Sequence, residues 1–261
     1  MAYSTLLYEL ADGVALITLN RPDVRNAFND QMSEELQAAL KAAERAAAAR
    51  CLVLTGAGAG FCAGQDLAAI RDRGEGISFR DHLQHTFNPI VAKLASIEKP
   101  VIAAVNGAAA GAGLGLALAC DFRYASDNAK FRMAFIGVAL APDSGASFFL
   151  PRLIGLGRAL EMAYTNALLD AQSALALGLV NKVLPADQLM PATLDLARKL
   201  AQAPTKSLGL TKRAMSHALT TTLAEALDYE AHLQAIAGRS ADHDEGVNAF
   251  LEKRKPNFSG S

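Results

Sequence analysis

LLYEL (6–10) and VALITLN (14–20) are mostly apolar, β-prone runs with Asp12-Gly13 between them, a pattern that predicts a β-hairpin. NRPDVRNAF then reads as a loop. Over DQMSEELQAALKAAERA (30–46) apolar residues return every third or fourth position, the period of an amphipathic helix, with Asn29 or Asp30 at its N-cap. CLVLT (51–55) is a buried strand followed by the glycine-rich loop GAGAGFCAGQDL. Residues 71–90 are polar, with scattered charges and two histidines, and predict no definite element. KPVIAAVNG opens a second strand–turn unit whose helix runs through LGLALAC to Asp121, and FRYAS and AKFRMAF read as further short strands.

Three times the chain passes from a β-branched strand through small residues into a helix, which predicts an α/β fold of repeated units. From about residue 156 the pattern turns helical: LGRALEMAYT, AQSALALG, LMPATLDLARKLAQA, SLGLTKRAMSHAL, LAEALDYEAHLQAIA and DEGVNAFLEKR. LVNKVL (179–184) is the one strand among them, and Pro204 and Gly238 mark helix breaks. No low-complexity linker intervenes, so the helical third is expected to pack on the α/β core.

Composition narrows the function classes. The 261 residues are 51% hydrophobic and 20% charged, enough to bury a large core. A net charge of −1 without a long basic run gives no footprint for nucleic acid. Cys51, Cys62 and Cys120 are far apart and form no CxxC, which suits a reducing compartment and argues against a disulfide framework or a zinc ribbon. The start, MAYSTLLYEL, shows no basic-then-apolar leader, so a cytoplasmic location is expected. The uncharged run VIAAVNGAAAGAGLGLALAC (101–120) has glycines at 107, 111 and 115 and superficially resembles a membrane span. Asn106-Gly107 after a five-residue β-like run favours strand, tight turn and buried helix instead.

Few residues suggest chemistry. GAGFCA (58–63) matches GxGxxA after a strand, but no acidic-ended second strand follows, so a tight turn explains it better than a dinucleotide cradle. His82 and His85 lie on one side of any helix there; without an HExxH the expectation is two solvated histidines and no metal. No GxSxG occurs, and Ser144 reads as a turn or cap hydroxyl. FCAGQDL (61–67) and NGAAAGAGLG (106–115) each lead into a helix whose first amides lack partners, and two such amides aimed at one point would form an oxyanion hole. Small residues packed for their own sake explain either stretch alone. In FIGVALAPDSGASFFL (135–150) a single carboxylate, Asp143, stands among apolar and small residues. It is either the N-cap of the following helix or a base with a raised pKa.

LNRPDVRNAFN, LVLTGAGAGFCAGQDL, KPVIAAVNGAAAGAGLGLALACD, the AKFRMAF…PDSG block and EGVNAFLEKRKPNF, in that order over nearly the whole chain, resemble the crotonase, or enoyl-CoA hydratase/isomerase, superfamily. The resemblance implies a crotonase-like spiral of ββα units over residues 1–195 and a C-terminal helical trimerisation region over 196–261. It further implies acyl-CoA thioesters as substrates, coenzyme A being part of the substrate with no separate cofactor. Homotrimers or dimers of trimers are implied as well. Carried over by motif, the oxyanion donors are the backbone N–H groups of Gln65 and Ala112. Contacts to coenzyme A would come from Arg25, from Gln65, Asp66, Leu67 and Ala68, and from Phe250 and Lys253, the last two reaching a neighbouring subunit's ligand.

Hydratases of the family use two glutamates, whose places here are held by Gly115 and Phe135. Asp143 occupies the position of the working aspartate in several family isomerases and in the aryl-CoA dehalogenases. The nearest resemblance is to the phenylacetate-pathway isomerases that convert ring-1,2-epoxyphenylacetyl-CoA to oxepin-CoA. The expectation is therefore a thioester isomerase, with 3-enoyl-CoA to 2-enoyl-CoA conversion as a related activity. The alternatives are an enoyl-CoA hydratase, a dehalogenase with Asp143 as nucleophile (though the chain has no Trp for an aromatic pocket), and a non-catalytic acyl-CoA-binding subunit.

Overall fold

A computed structural model describes residues 3–71 and 78–261. Strands β1 (Leu6–Ala11) and β2 (Val14–Leu19) form the expected antiparallel hairpin, turning at Asp12 and Gly13, both in the left-handed region. Helix α1 (Asp30–Arg45) follows, and the Asn29 side chain caps it by accepting from Met32 N–H at 3.0 Å. The chain then repeats one device. A buried strand is followed within a few residues by a three-residue strand and then a helix: β3 (Cys51–Gly56), β4 (Gly60–Cys62) and α2 (Leu67–Arg71). Helices α3 (Phe79–His85) and α4 (Phe87–Ser96) lead to the second round, β5 (Val101–Val105), β6 (Ala108–Ala110) and α5 (Ala112–Leu118). The third is β7 (Phe122–Ser126), β8 (Lys130–Arg132) and, after a 3-10 turn at Phe135–Val138, α6 (Ala146–Ile154).

The remainder is helical: α7 (Leu156–Thr165), α8 (Ala171–Ala176), α9 (Ala186–Ala201), α10 (Thr205–Ala218), α11 (Leu223–Ala237) and α12 (Ala241–Leu251). Two short strands interrupt it, β9 (Leu169–Asp170) and β10 (Lys182–Leu184). The long strands form a six-stranded sheet in the order β1-β2-β3-β5-β7-β10, parallel after the hairpin; the short ones form a second sheet, β4-β6-β8-β9. The chain alternates between the two sheets and so climbs as a spiral of ββα turns. The α/β spiral is the expected fold, but the stretches expected as a glycine-rich loop and a tight turn contain the short strands β4 and β6. AKFRMAF and LVNKVL contribute three strand residues each. The apolar run 101–120 is two strands and a seven-residue helix, and among the described residues no helix is long and apolar enough to cross a membrane. Of the polar stretch 71–90, residues 72–77 lie outside the described residues.

The central strands of the large sheet, β3 and β5, are buried on both faces, which is why they read as continuous apolar runs. Leu52, Leu54, Val101 and Ala103 point to the side packed by Leu36 and Leu40 of α1 and Ile90 and Leu94 of α4. Cys51, Val53, Ile102 and Ala104 point to the other side, covered by Leu189, Ala197 and Ala201 of α9. The division expected after residue 195 thus falls inside α9, a helix that belongs to the core. All three cysteines are buried thiols, and burial pushes each up to about 12.

Candidate active site

Parallel pairing of β4 with β6 sets Gly60 beside Ala108 and Cys62 beside Ala109, so the residues leaving the two strands emerge next to each other. Their approach is close enough to require glycine. Gly64 has φ +92°, and a Cβ there would lie 2.8 Å from Ala110 O and 3.3 Å from Ala112 N; a Cβ on Gly113 would meet Cys62 O at 2.2 Å. Packing therefore explains the small residues of both stretches, and the same packing brings Gln65 and Ala112 to one place.

Their backbone amides are available. Gln65 forms an isolated parallel bridge with Phe28, in which Phe28 N–H donates to Gly64 O at 2.7 Å and Asp66 N–H to Phe28 O at 2.9 Å. That pattern uses the groups flanking Gln65 and turns its own N–H to the opposite side. Ala112 is the first residue of α5, where no preceding turn supplies an acceptor. No described residue accepts from either amide. Both residues line a cavity of about 320 Å³, within the size range of small-molecule sites.

Asp143 is the one carboxylate among the described residues lining that cavity. Its place is fixed by a tight turn in which Ser144 (φ 50°) and Gly145 (φ 75°) are both left-handed and Ala146 N–H donates to Asp143 O at 2.9 Å. The carboxylate does not cap α6: Gly145 holds the cap position without a side-chain bond. It accepts instead from Ser144 Oγ at 2.7 Å. Burial pushes the Asp143 carboxyl above the ordinary aspartate value, against the opposing pull of the Ser144 hydrogen bond and the His82 ring.

Gly115 and Phe135, the positions expected to stand in for the hydratase glutamates, hold nothing that moves a proton. Gly115 is buried in α5, and a Cβ there would lie 2.4 Å from Ser144 O. Phe135 packs its ring into the cavity wall.

His82 corrects the expectation of two solvated histidines. His85 is exposed, its Nδ1 2.6 Å from Asp81 O, but His82 lines the cavity with Nε2 2.9 Å from Gln65 Oε1. Its ring stands edge-on to Phe87 at 6.2 Å. Nothing in the local sequence signals this, because the contact depends on how α3 lies over the β4–α2 connection.

The coenzyme A candidates fall into three groups. Leu67 lines the cavity, and Ala68 is exposed beside it. Asp66 lies next to Gln65, but its carboxylate is engaged by Arg21 Nη2 at 3.0 Å and by Ala69 N–H at 3.2 Å. Arg25, left-handed at φ 51°, is exposed while its carbonyl accepts Ala63 N–H at 3.0 Å, so its backbone adjoins the 61–67 stretch. Phe250 and Lys253 do not join the cavity within one chain. Phe250 is 83% exposed and borders a separate groove among the C-terminal helices, and Lys253 is exposed just beyond α12. Among the described residues no cluster of three metal-ligating side chains occurs.

Comparison with known proteins agrees with this architecture. A family model described as enoyl-CoA hydratase/isomerase matches residues 9–261. The chain is 46% identical over 257 residues to a 1,2-epoxyphenylacetyl-CoA isomerase of Escherichia coli K12, covering 98% of both chains. It is 37% identical over 261 residues to a crotonyl-CoA hydratase of Syntrophomonas wolfei, with 99% of each covered. The crystal structure of an enoyl-CoA hydratase from Bacillus anthracis superposes with a TM-score of 0.92 at 34% identity, covering 99% of this chain and 100% of that one.

Proposed function

Because the chain belongs to the enoyl-CoA hydratase/isomerase family, we propose that it is a CoA-thioester isomerase in which Asp143 carries a proton from one carbon to another. The observation that supports this reading is the cavity itself: Asp143 shares it with the Gln65 and Ala112 amides, while positions 115 and 135 hold Gly and Phe.

The thioester carbonyl oxygen sits between the two amides. The Asp143 carboxylate takes a proton from the adjacent carbon, and the electron pair left behind spreads onto the carbonyl oxygen as an enolate. Two N–H donors stabilise that oxygen, each by about 2.7–4 kcal/mol in comparable sites. The protonated Asp143 returns the proton at the far end of the conjugated system, so a double bond moves and no atom is gained or lost. One carboxylate suffices, because no water is activated. An apolar setting that raises its pKa makes it a stronger base than a solvated aspartate. The substrate is a 1,2-epoxyphenylacetyl thioester, whose ring opens to the oxepin with the same proton relay, or a 3-enoyl-CoA.

A thioester panel tests the proposal: the epoxide, a 3-enoyl-CoA and crotonyl-CoA, each with native enzyme and Asp143→Asn. Isomerisation should dominate in the native enzyme. The variant should retain acyl-CoA affinity and lose about 10²–10⁴ in turnover. Hydration of crotonyl-CoA as the main activity, or full turnover by the variant, would overturn the assignment. The implied oligomer belongs to the same proposal: Met215 of α10, Leu219 just beyond its end, and Leu223 and Leu227 of α11 are each more than half exposed, an apolar surface suited to a second copy. Sedimentation of the native protein should give a trimer or a dimer of trimers; a monomer would exclude it.

A further inference from the structure

We infer that His82 is a positioning residue for the Gln65 amide and that it fastens the acyl-facing wall of the cavity to that donor. The inference rests on Gln65 N–H serving as an oxyanion donor, and it holds whether the enzyme isomerises or hydrates.

Gln65 Nε2 donates to Phe28 O at 2.9 Å. A carbonyl only accepts, so this bond fixes which way the carboxamide faces and leaves Oε1 toward His82. Oε1 also only accepts, so the imidazole nitrogen 2.9 Å away must carry its proton on Nε2. The side chain is thus tied at both ends, and the backbone on either side of Gln65 is tied to Phe28. The contacts close into a ring: His82 bonds Gln65, Gln65 bonds Phe28, Phe28 packs on Phe87 at 5.2 Å, and Phe87 meets His82 edge-on. Phe79, His82 and Leu83 on α3 form one wall of the cavity. A thioester whose acyl group displaces that wall therefore disturbs the Gln65 amide through this ring. Poorly fitting acyl groups then lose transition-state stabilisation, which appears in kcat.

The test uses the full-length enzyme and whichever thioester it turns over. His82→Phe keeps a ring against Phe87 and removes the Nε2 donor; His82→Gln restores an amide nitrogen near the Nε2 position. Gln65→Met keeps the backbone amide and loses both side-chain bonds. His82→Phe should lower kcat about 10- to 100-fold with KM changed by less than about 2-fold, since small misplacements of a catalytic donor cost that much. His82→Gln should recover most of the loss, and the His82→Phe/Gln65→Met double variant should be no slower than the slower single one. Wild-type kcat in His82→Phe, a loss confined to KM, or losses that multiply would overturn the inference. If His82→Phe does not fold, Gln65→Met reads the same link: lowered kcat at constant KM supports it, and unchanged kcat overturns it. Asp143→Asn run alongside keeps the two proposals separate, because full turnover there removes the base without touching the His82 comparison.

Discussion

A Cβ at position 115 would sit 2.4 Å from Ser144 O and 3.0 Å from Ser144 Cβ, and Ser144 in turn bonds the Asp143 carboxylate. A carboxylate on α5 at that position and the turn presenting Asp143 therefore exclude each other in this backbone. Gly115→Glu should abolish turnover without creating a hydratase, and Gly115→Ala alone should cost about 1–3 kcal/mol by overpacking, read as a lower denaturation midpoint. Asp143 itself is a liability to the fold. Its native pKa lies above the unfolded value, so the native state holds the proton more tightly, and stability falls as pH rises from the unfolded to the folded pKa. Asp143→Asn should thus melt at or above the wild-type temperature at neutral pH, whereas loss of a helix cap would lower it. Turnover needs the ionised form, so the acid limb of kcat/KM should lie above the ordinary aspartate value. The sequence pattern singled out Asp143 as a lone carboxylate in an apolar run but left cap and base both open; the structure sets it in the cavity wall and away from the cap of α6. His82 was not legible in the sequence, because its partner Gln65 is 17 positions away and no periodic pattern surrounds it.

Helix α1 and the β1–β2 hairpin were legible almost to the residue, the helix through its spacing of apolar positions and the hairpin through the Asp12-Gly13 turn between two β-prone runs. Strands β4 and β6 were not, because Gly60–Cys62 and Ala108–Ala110 are too short and too small to show alternation; their neighbours in space make them strands. Asn26 holds this region to the loop before it. Fully buried, it accepts from Arg21 N–H at 2.8 Å and donates to Ala57 O at 3.0 Å and Gly60 O at 2.8 Å. Asn26→Ala leaves three backbone groups without that partner and should destabilise the protein by about 2–4 kcal/mol in chemical denaturation. Asn26→Asp should do no better, because it sets a second oxygen against two carbonyls. Activity should fall with stability in both, since Ala63 hangs on the adjacent Arg25 carbonyl two residues before Gln65. Wild-type activity in Asn26→Ala would show that β4 keeps its place without this clamp.

Over the whole molecule, the sequence pattern showed that the last third is helical but not how it is attached. Helices α10 to α12 bury few apolar residues, and polar anchors hold them to the spiral. Lys212 of α10 reaches back to Leu94 O at 2.8 Å and to the Asp121 carboxylate at 3.0 Å, and a Cβ on Gly209 would meet the Glu98 backbone at 2.6 Å. Arg50, just before β3, donates through Nη2 to Ala203 O at 2.7 Å, through Nε to Thr205 Oγ1 at 2.9 Å and through Nη1 to Phe258 O at 2.9 Å. The buried Asp242 carboxylate accepts Ser259 N–H at 2.6 Å and Gly260 N–H at 2.8 Å, so residues 258–260 are held from both sides. One planar guanidinium thus joins the start of the spiral to the start of α10 and to the tail, a fork that lysine cannot reproduce. Arg50→Ala should cost about 2–4 kcal/mol, and Arg50→Lys should recover less than half of it. Limited proteolysis should cut the variant early near residues 252–258, before the spiral unfolds. If the tail of Arg50→Ala resists protease as long as the native tail does, Asp242 alone holds it and the guanidinium is a bystander.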